Sequence, residues 1–448
     1  MSDTVKSAGL DYAGDKISRL FCKLFFPTLL GMIFNALITI VDGIFVGQGV
    51  GPDGIAAVNI IAPLYMVTTG IGLMFGIGAS VMAGIAMSQN DFRRASVSMT
   101  QGIVMAGLLI ASLCAVILSS PAGVARLLGC SVRLMPNALD YLLWLVPGIF
   151  FLLFQAVGMM VIRLDGSPKY AMMCNVVPAV VNIALDWYLV FPMAMGVKGA
   201  AIATSASVCL GAMMVGVYFL RFSYVLKVCW ESRNFFVNTW RQVCIGSSAF
   251  ITEIAMSIMM MTGNYVFLRY FGEAGVAAYS IACYLFPLIF MMSNAVAQSA
   301  QPIISYNYGA GAAQRVAASF RLSLRVALLC GTISAVSIAL AARGIVSLFI
   351  DPACEAGSLA SSGLPVFAVC AVFFAVNIAY IGYFQSIGKA LTAAVFTLLR
   401  GVVYLVPLFL LLPRVAGDTA VWMAIPTSEI LTLITILVSR LMARRKKA

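Results

Sequence analysis

GPDGIAAVNI, residues 51–60, returns 221 positions later as GEAGVAAYSI, residues 272–281. The same offset lays Arg94 on Arg315 and Ser98 on Ser319, and an offset near 222 brings Gly166 of RLDGSPKYA onto Gly388 of QSIGKALTA. The chain is an internal duplication, and the composition of each copy decides the fold.

Outward from either decapeptide the sequence runs apolar. The chain is 62% hydrophobic and 10% charged, with a mean hydropathy of +1.02, against roughly 25% charged residues in a soluble domain. Stretches of about 20 or more apolar residues, long enough to cross a hydrocarbon core as helices, are expected at 20–47, 54–87, 93–120, 137–163, 169–192, 197–220, 240–271, 275–307, 317–348, 360–386, 389–412 and 418–441. The ten-residue alternation of a membrane β-barrel is not the pattern. The expected fold is an all-α integral membrane protein of twelve transmembrane helices in two six-helix lobes. Six is even, so both copies enter the membrane in the same orientation and form a parallel repeat. The expected division is a tail at 1–19, an N-lobe at 20–220, a linker at 221–239, a C-lobe at 240–441 and a basic tail at 442–448. Two repeated bundles around a midplane cavity is a transporter plan.

The net charge of +12 points to orientation, not to nucleic acid. The two tails and the even-numbered connections hold 21 of the Lys and Arg residues, the odd-numbered connections hold 6, and Arg400 lies within a span. By the positive-inside rule both tails face the cytoplasm; the expected location is the plasma (inner) membrane. The terminal ARRKKA suits anionic lipid. No short apolar stretch with a small-residue cleavage site precedes span 1, so no signal peptide is expected. The eleven cysteines are scattered singly and read as apolar packing residues. Histidine is absent, so any proton chemistry must use carboxylates. No Walker loop, catalytic triad or zinc motif is present. The expectation is a monomeric carrier of small molecules in the lipid bilayer, not an enzyme, with no cofactor and no ATP.

Within the spans, charge is costly, about 2.5–3.5 kcal/mol at a helix centre on insertion scales. Four acids lie there: Asp42, Asp186, Glu253 and Glu429. Counting at about 1.5 Å per residue puts Asp42 of span 1, Asp186 of span 5 and Thr204 of span 6 at one depth in the outer half of the membrane. Asn182 lies four residues before Asp186 and Asn35 seven before Asp42, each on its partner's helical face. Two carboxylates, a carboxamide and a hydroxyl offer hard oxygens for Na+; equally, two carboxylates held close do not both ionise easily, which suits a proton carrier. Glu253 falls near mid-membrane as a candidate substrate or proton contact. Arg400 and Glu429, the former the single cation found within a span, share a depth on antiparallel spans 11 and 12, which predicts a structural ion pair. Pro27 in the inner half of span 1 is a candidate gating bend. Gly72 and Gly76 in span 2 form a small-xxx-small surface for helix packing.

Taken together, the Pro-bearing span 1 ending in VDGIFVG, the GxxGIAA that follows, Asn182-x-x-x-Asp186, GAAIAT (199–204), FITE (250–253) and QPIISYNYGAG (301–311) resemble the multidrug and toxic compound extrusion (MATE) family. The resemblance implies a V-shaped cleft between two lobes and export of organic, often cationic or lipophilic compounds in exchange for Na+ or H+. It carries the family's N-lobe cation site onto Asp42, Asn182, Asp186 and Thr204, and its span 7 acid onto Glu253. Span 10, PVFAVCAVFFAVNIAYIGYFQS, lacks the acid some members carry there, a departure that favours the DinF-like branch. A flippase or exporter of lipid-linked or polysaccharide precursors shares this helical plan and is the alternative. It calls for a strongly cationic cavity.

Overall fold

Gly272, which opens the second decapeptide, has φ +60° and ψ −152° and interrupts the helical run Phe235–Gly309. That region of backbone space is open in practice to glycine alone. The residue thus divides two membrane-length helices that would otherwise fuse. Its counterpart Gly51 lies outside the described residues, which in this computed structural model are 10–50, 52–128, 130, 132 and 134–445. Most of the expected N-terminal tail, Arg133 and the last three residues of the basic tail also lie outside them.

Among the described residues there are twelve helices long and apolar enough to cross a membrane. Spans 1 to 6 are Ile17–Val50, Ile60–Ser88, Phe92–Ser119, Met135–Leu164, Pro168–Val190 and Gly196–Phe222; spans 7 to 12 are Phe235–Gly272, Ala274–Gly309, Ala313–Ser347, Glu355–Ser386, Ala390–Ala416 and Asp418–Met442. No strand occurs among the described residues.

The duplication is written in the helix ends. After span 2, Asn90 has φ +57°, and after span 8, 221 residues on, Gly311 has φ +71°. Gly166 (φ +93°) after span 4 corresponds to Gly388 (φ +72°) after span 10, and Gly196 (φ +60°) before span 6 to Gly417 (φ +90°) before span 12. The hydrogen bonds repeat as well. Ser167 N donates to Ile162 O and Gly166 N to Arg163 O, while Lys389 N donates to Phe384 O and Gly388 N to Gln385 O, all at 2.9–3.2 Å. Asp91 N to Ala86 O and Ala312 N to Asn307 O form another matched pair at 3.0 and 2.9 Å. Each is the Schellman closure, which satisfies the last carbonyls of a helix through one left-handed residue.

The chain falls into two compact units, Met1–Glu253 with Pro302–Val316, and Ile254–Gln301 with Ala317–Ala448. In the first, span 4 packs on spans 2, 3 and 6, and span 5 on spans 1 and 6. Close approach explains the glycines of span 2: a Cβ on Gly72 would stand 2.9 Å from Ala156 Cβ, and one on Gly76 3.2 Å from Val157 Cα. The core runs through Phe75, Met99, Leu142, Leu153 and Val161. The second unit is built around aromatic residues, with Phe267 stacked on Tyr279 at 4.6 Å and edge-on to Trp422 at 4.8 Å.

Some local structure departs from the expected uninterrupted spans. A short helix, Pro121–Leu127, precedes span 4. Span 10 consists of Glu355–Ala368 and Cys370–Ser386, meeting at Val369. Span 11 widens into a π turn at Leu399–Val403. There Tyr404 N bonds to Leu399 O at 2.8 Å, leaving Arg400 O without its α-helical donor, and Ser428 Oγ of span 12 supplies the replacement at 2.7 Å.

Candidate functional site

Helix contacts set the depth of the acidic residues. Gly31 of span 1 lies against Asn175 of span 5, where a Cβ would stand 3.1 Å from the carboxamide nitrogen, and Gly49 lies against Val190. Spans 1 and 5 thus run side by side, and Asp42, between the two contacts, is level with Asn182 and Asp186. Gly199 at the start of span 6 meets the Leu189 backbone at 3.1 Å. Five residues later, Thr204 comes back to the same level.

The Asp42 and Asp186 carboxyl groups lie within each other's electrostatic reach, short of a well-formed hydrogen bond. Asn182 and Asp186 are fully buried and Thr204 nearly so. Six atoms here are buried without a hydrogen-bond partner: Asp42 Oδ1, both Asp186 oxygens, Asn182 Oδ1 and Nδ2, and Thr204 Oγ1. Leaving such a group unsatisfied costs about 1–3 kcal/mol, so the cluster fits a species that brings its own positive charge or donors. Its donor set is all-oxygen apart from the carboxamide nitrogen, as a hard cation such as Na+ requires.

Two residues not singled out by the sequence reading belong to this cluster. Tyr141 of span 4 is within electrostatic reach of Asp42, Asp186 and Tyr65, and Tyr65 of span 2 is within reach of Asp42. A search for charged side chains passes over both, although Tyr141 sits less than two turns from the start of span 4, at the depth that drew attention to Thr204.

The other candidates lie elsewhere. Glu253 is buried on span 7 and faces Gly70 of span 2, whose Cβ would stand 3.4 Å from that of Glu253. Asn35 is exposed on span 1 and engaged in an interaction of its own. Span 1 continues as one helix through Pro27, and the adjacent Thr28 Oγ1 is buried without a partner. In the second unit, Arg400 Nε donates to Glu429 Oε1 at 3.0 Å. Asn377 Nδ2 donates to Glu429 Oε2 at 2.7 Å, and the guanidinium lies 4.2 Å from the Phe374 ring centre. Arg400 is not the single buried cation expected. Arg163, assigned from sequence to a connection, is 3% exposed in the last turn of span 4, where Nη1 donates to Met160 Sδ at 3.5 Å.

A family model for MatE matches the chain twice, over residues 27–188 and 248–410. The two starts differ by 221 positions and the two ends by 222, the offsets of the repeat itself. The chain belongs to the MatE family. Among its relatives, the multidrug export protein MepA of Staphylococcus saprophyticus is 23% identical over 430 residues, 94% of this chain and 92% of that protein. The FAD transporter of Shewanella oneidensis is 25% identical over 348 residues, 75% of each. A solved outward-facing multidrug resistance MATE family transporter of the MOP superfamily superposes with a TM-score of 0.91 at 23% identity, covering 98% of this chain and 99% of its own. A MOP superfamily transporter from Pyrococcus furiosus, described as having a binding pocket of reverse polarity, superposes at 0.90 with 22% identity, covering 98% and 99%. This MatE chain is therefore a multi-pass membrane transporter with the two-lobed MATE fold.

Proposed function

We propose that this MatE protein is a secondary antiporter that exports organic, cationic or lipophilic compounds in exchange for Na+ or H+ entering at Asp42, Asn182, Asp186 and Thr204. The carrying observation is the group of six buried, unpartnered polar atoms at one level of spans 1, 5 and 6. Two carboxylates that feel each other's charge gain most from a bound cation or a shared proton. Tyr65 and Tyr141 supply hydroxyls at the edge of the same cluster. The multidrug export relatives support the substrate class, and the absence of an acid from span 10 supports a DinF-like assignment.

The mechanism is competition between two ligands for two states. A cation or proton at Asp42 and Asp186 draws spans 1 and 5 together and favours the state with low substrate affinity. Its release into the cell restores the state that binds substrate. Coupling requires each ligand to favour a different state, and the coupling is reciprocal. Pro27, which takes one backbone donor out of span 1, is the point at which that helix bends, and Glu253 meets substrate or proton. Both tails face the cytoplasm, as the distribution of Lys and Arg requires.

The similarity to an FAD transporter favours a second cargo, a large planar anion. Export of lipid-linked precursors gains no such support: Arg163 and Arg400, the buried arginines among the described residues, are both engaged by the protein itself. The test uses proteoliposomes loaded with ethidium or with FAD under an imposed Na+ or H+ gradient. Ethidium movement driven by one of the gradients is the expected outcome; FAD movement alone would replace the cation reading with the anion one.

A further inference from the structure

Ahead of span 1, Leu10–Asp15 is not a loose tail. Leu10 and Tyr12 are buried, and the segment is folded on itself, with Asp11 Oδ1 accepting the amides of Ala13 and Gly14 at 3.0 and 2.9 Å. Tyr12 fastens it at two places. Its hydroxyl donates to Arg163 O, at the end of span 4, at 2.9 Å. Its own carbonyl accepts from Asn307 Nδ2 at 3.1 Å and Arg315 Nη2 at 2.9 Å. Arg315 Nη2 also reaches Asp15 O at 2.8 Å, and its Nε donates to Asn307 Oδ1 at 3.0 Å. The Tyr12 ring lies 5.5 Å from that of Tyr306. Burial, and then the nearby Asp165 carboxylate, push the Tyr12 phenol up, so it stays a donor at any physiological pH.

The receptor for this segment is the Tyr306–Asn307 part of QPIISYNYGAG together with Arg315, the repeat partner of Arg94. The first repeat lacks it: 221 residues earlier, Ile85 and Ala86 stand for Tyr306 and Asn307, and Arg94 is exposed. The duplicated arginine has been put to a use specific to the second copy. Its location matters. Asn307 and Arg315 lie in Pro302–Val316, the turn between spans 8 and 9, which belongs to the first compact unit although most of both spans belongs to the second. The polar part of the fastening is small enough to come undone: one hydrogen bond from Tyr12 to the carbonyl at the end of span 4, three from Asn307 and Arg315 to carbonyls of the segment itself, and the Lys23–Asp15 ion pair at 3.7 Å.

We propose that Leu10–Asp15 is a releasable latch, which ties the span 8–9 turn to the ends of spans 1 and 4 in the conformation seen here and lets go once in each transport cycle. The inference rests on the antiport reading above, because only a carrier that alternates between states needs the turn to move with its own spans. The latch belongs to the cytoplasmic face, and its strength sets how readily that face opens.

Two measurements on the full-length protein test this. In the first, the exposed Cys22 and Cys354 are replaced by serine, and Ala13→Cys with Ala310→Cys, both exposed positions, are joined by a disulfide-containing bifunctional maleimide. Transport should fall to the leak rate of empty liposomes and return on reduction; a cross-linked protein that transports at the uncross-linked rate would overturn the latch. The second needs no transport, so it separates failure of the latch from failure of the antiport reading. Hydrogen–deuterium exchange of amides 10–16 should rise about ten-fold in Arg315→Gln with span 4 protection unchanged, and should differ between wild type and Asp42→Asn, which lacks one of the two carboxylates of the proposed ion site. Exchange at 10–16 that is the same in all three proteins would also overturn it.

Discussion

Arg400 and Glu429 show how a charge is made tolerable inside a span. The carboxylate is held on both oxygens, by Arg400 and Asn377, and the guanidinium lies over Phe374. Removing one partner leaves the other uncompensated, so Glu429→Gln should destabilise the protein by about 3–5 kcal/mol, read as a fall in thermal midpoint in detergent. Arg400→Met combined with Glu429→Leu should cost much less. At the proposed ion-coupling cluster, Tyr141→Phe removes one hydroxyl without disturbing packing. It should weaken the apparent affinity for the coupling ion about five-fold, the equivalent of one net hydrogen bond of about 1 kcal/mol, with the amount of folded protein unchanged. The juxtaposition of Asp42 and Asp186 is legible from the sequence because charges are rare in these spans and depth follows from residue counting. Tyr65 and Tyr141 are not legible in that way, since a tyrosine in an apolar helix looks like any other lining residue until its neighbours are known. Arg163 is missed for the opposite reason: three residues from a helix end, it counts as part of a connection, yet the fold buries it.

At the level of elements, the repeat was legible wherever a backbone position demands glycine. Gly272, Gly166 and Gly388 stand in conformations that L side chains avoid, and they are the residues by which the two copies align. Gly272→Ala should therefore cost about 1–3 kcal/mol through strain alone, checked by the same thermal midpoint. Gly246 of span 7 is different: its φ is helical, and a Cβ there would collide with the Met74 backbone of span 2. Gly246→Val should hold the N-terminal half of span 7 off span 2, seen as faster thiol labelling at the neighbouring, half-buried Cys244. The break in span 10 and the π turn in span 11 leave no trace in hydropathy. The π turn depends on a hydroxyl from span 12 reaching Arg400 O, a tertiary contact that no local pattern encodes.

For the whole molecule, twelve spans and a parallel repeat follow from composition and an offset of 221, and the family match in two blocks of the same offset agrees. The grouping of Phe235–Glu253 and Pro302–Val316 with the first six spans does not follow, because it rests on tertiary contacts of helix ends that span order does not encode. Two tails on the cytoplasmic side is the topology proposed from the basic residues, and a protease-sensitive tag at either end should be cut only in permeabilised or inverted vesicles. In the proposed antiport, Asp42 couples an ion gradient to export. Its most direct test is efflux of an organic cation such as ethidium from proteoliposomes under an imposed Na+ or H+ gradient, comparing wild type with Asp42→Asn. Gradient-driven movement is expected in the wild type and none above leak in the variant, with both proteins equally folded; transport at the wild-type rate in Asp42→Asn would rule out coupling through this carboxylate.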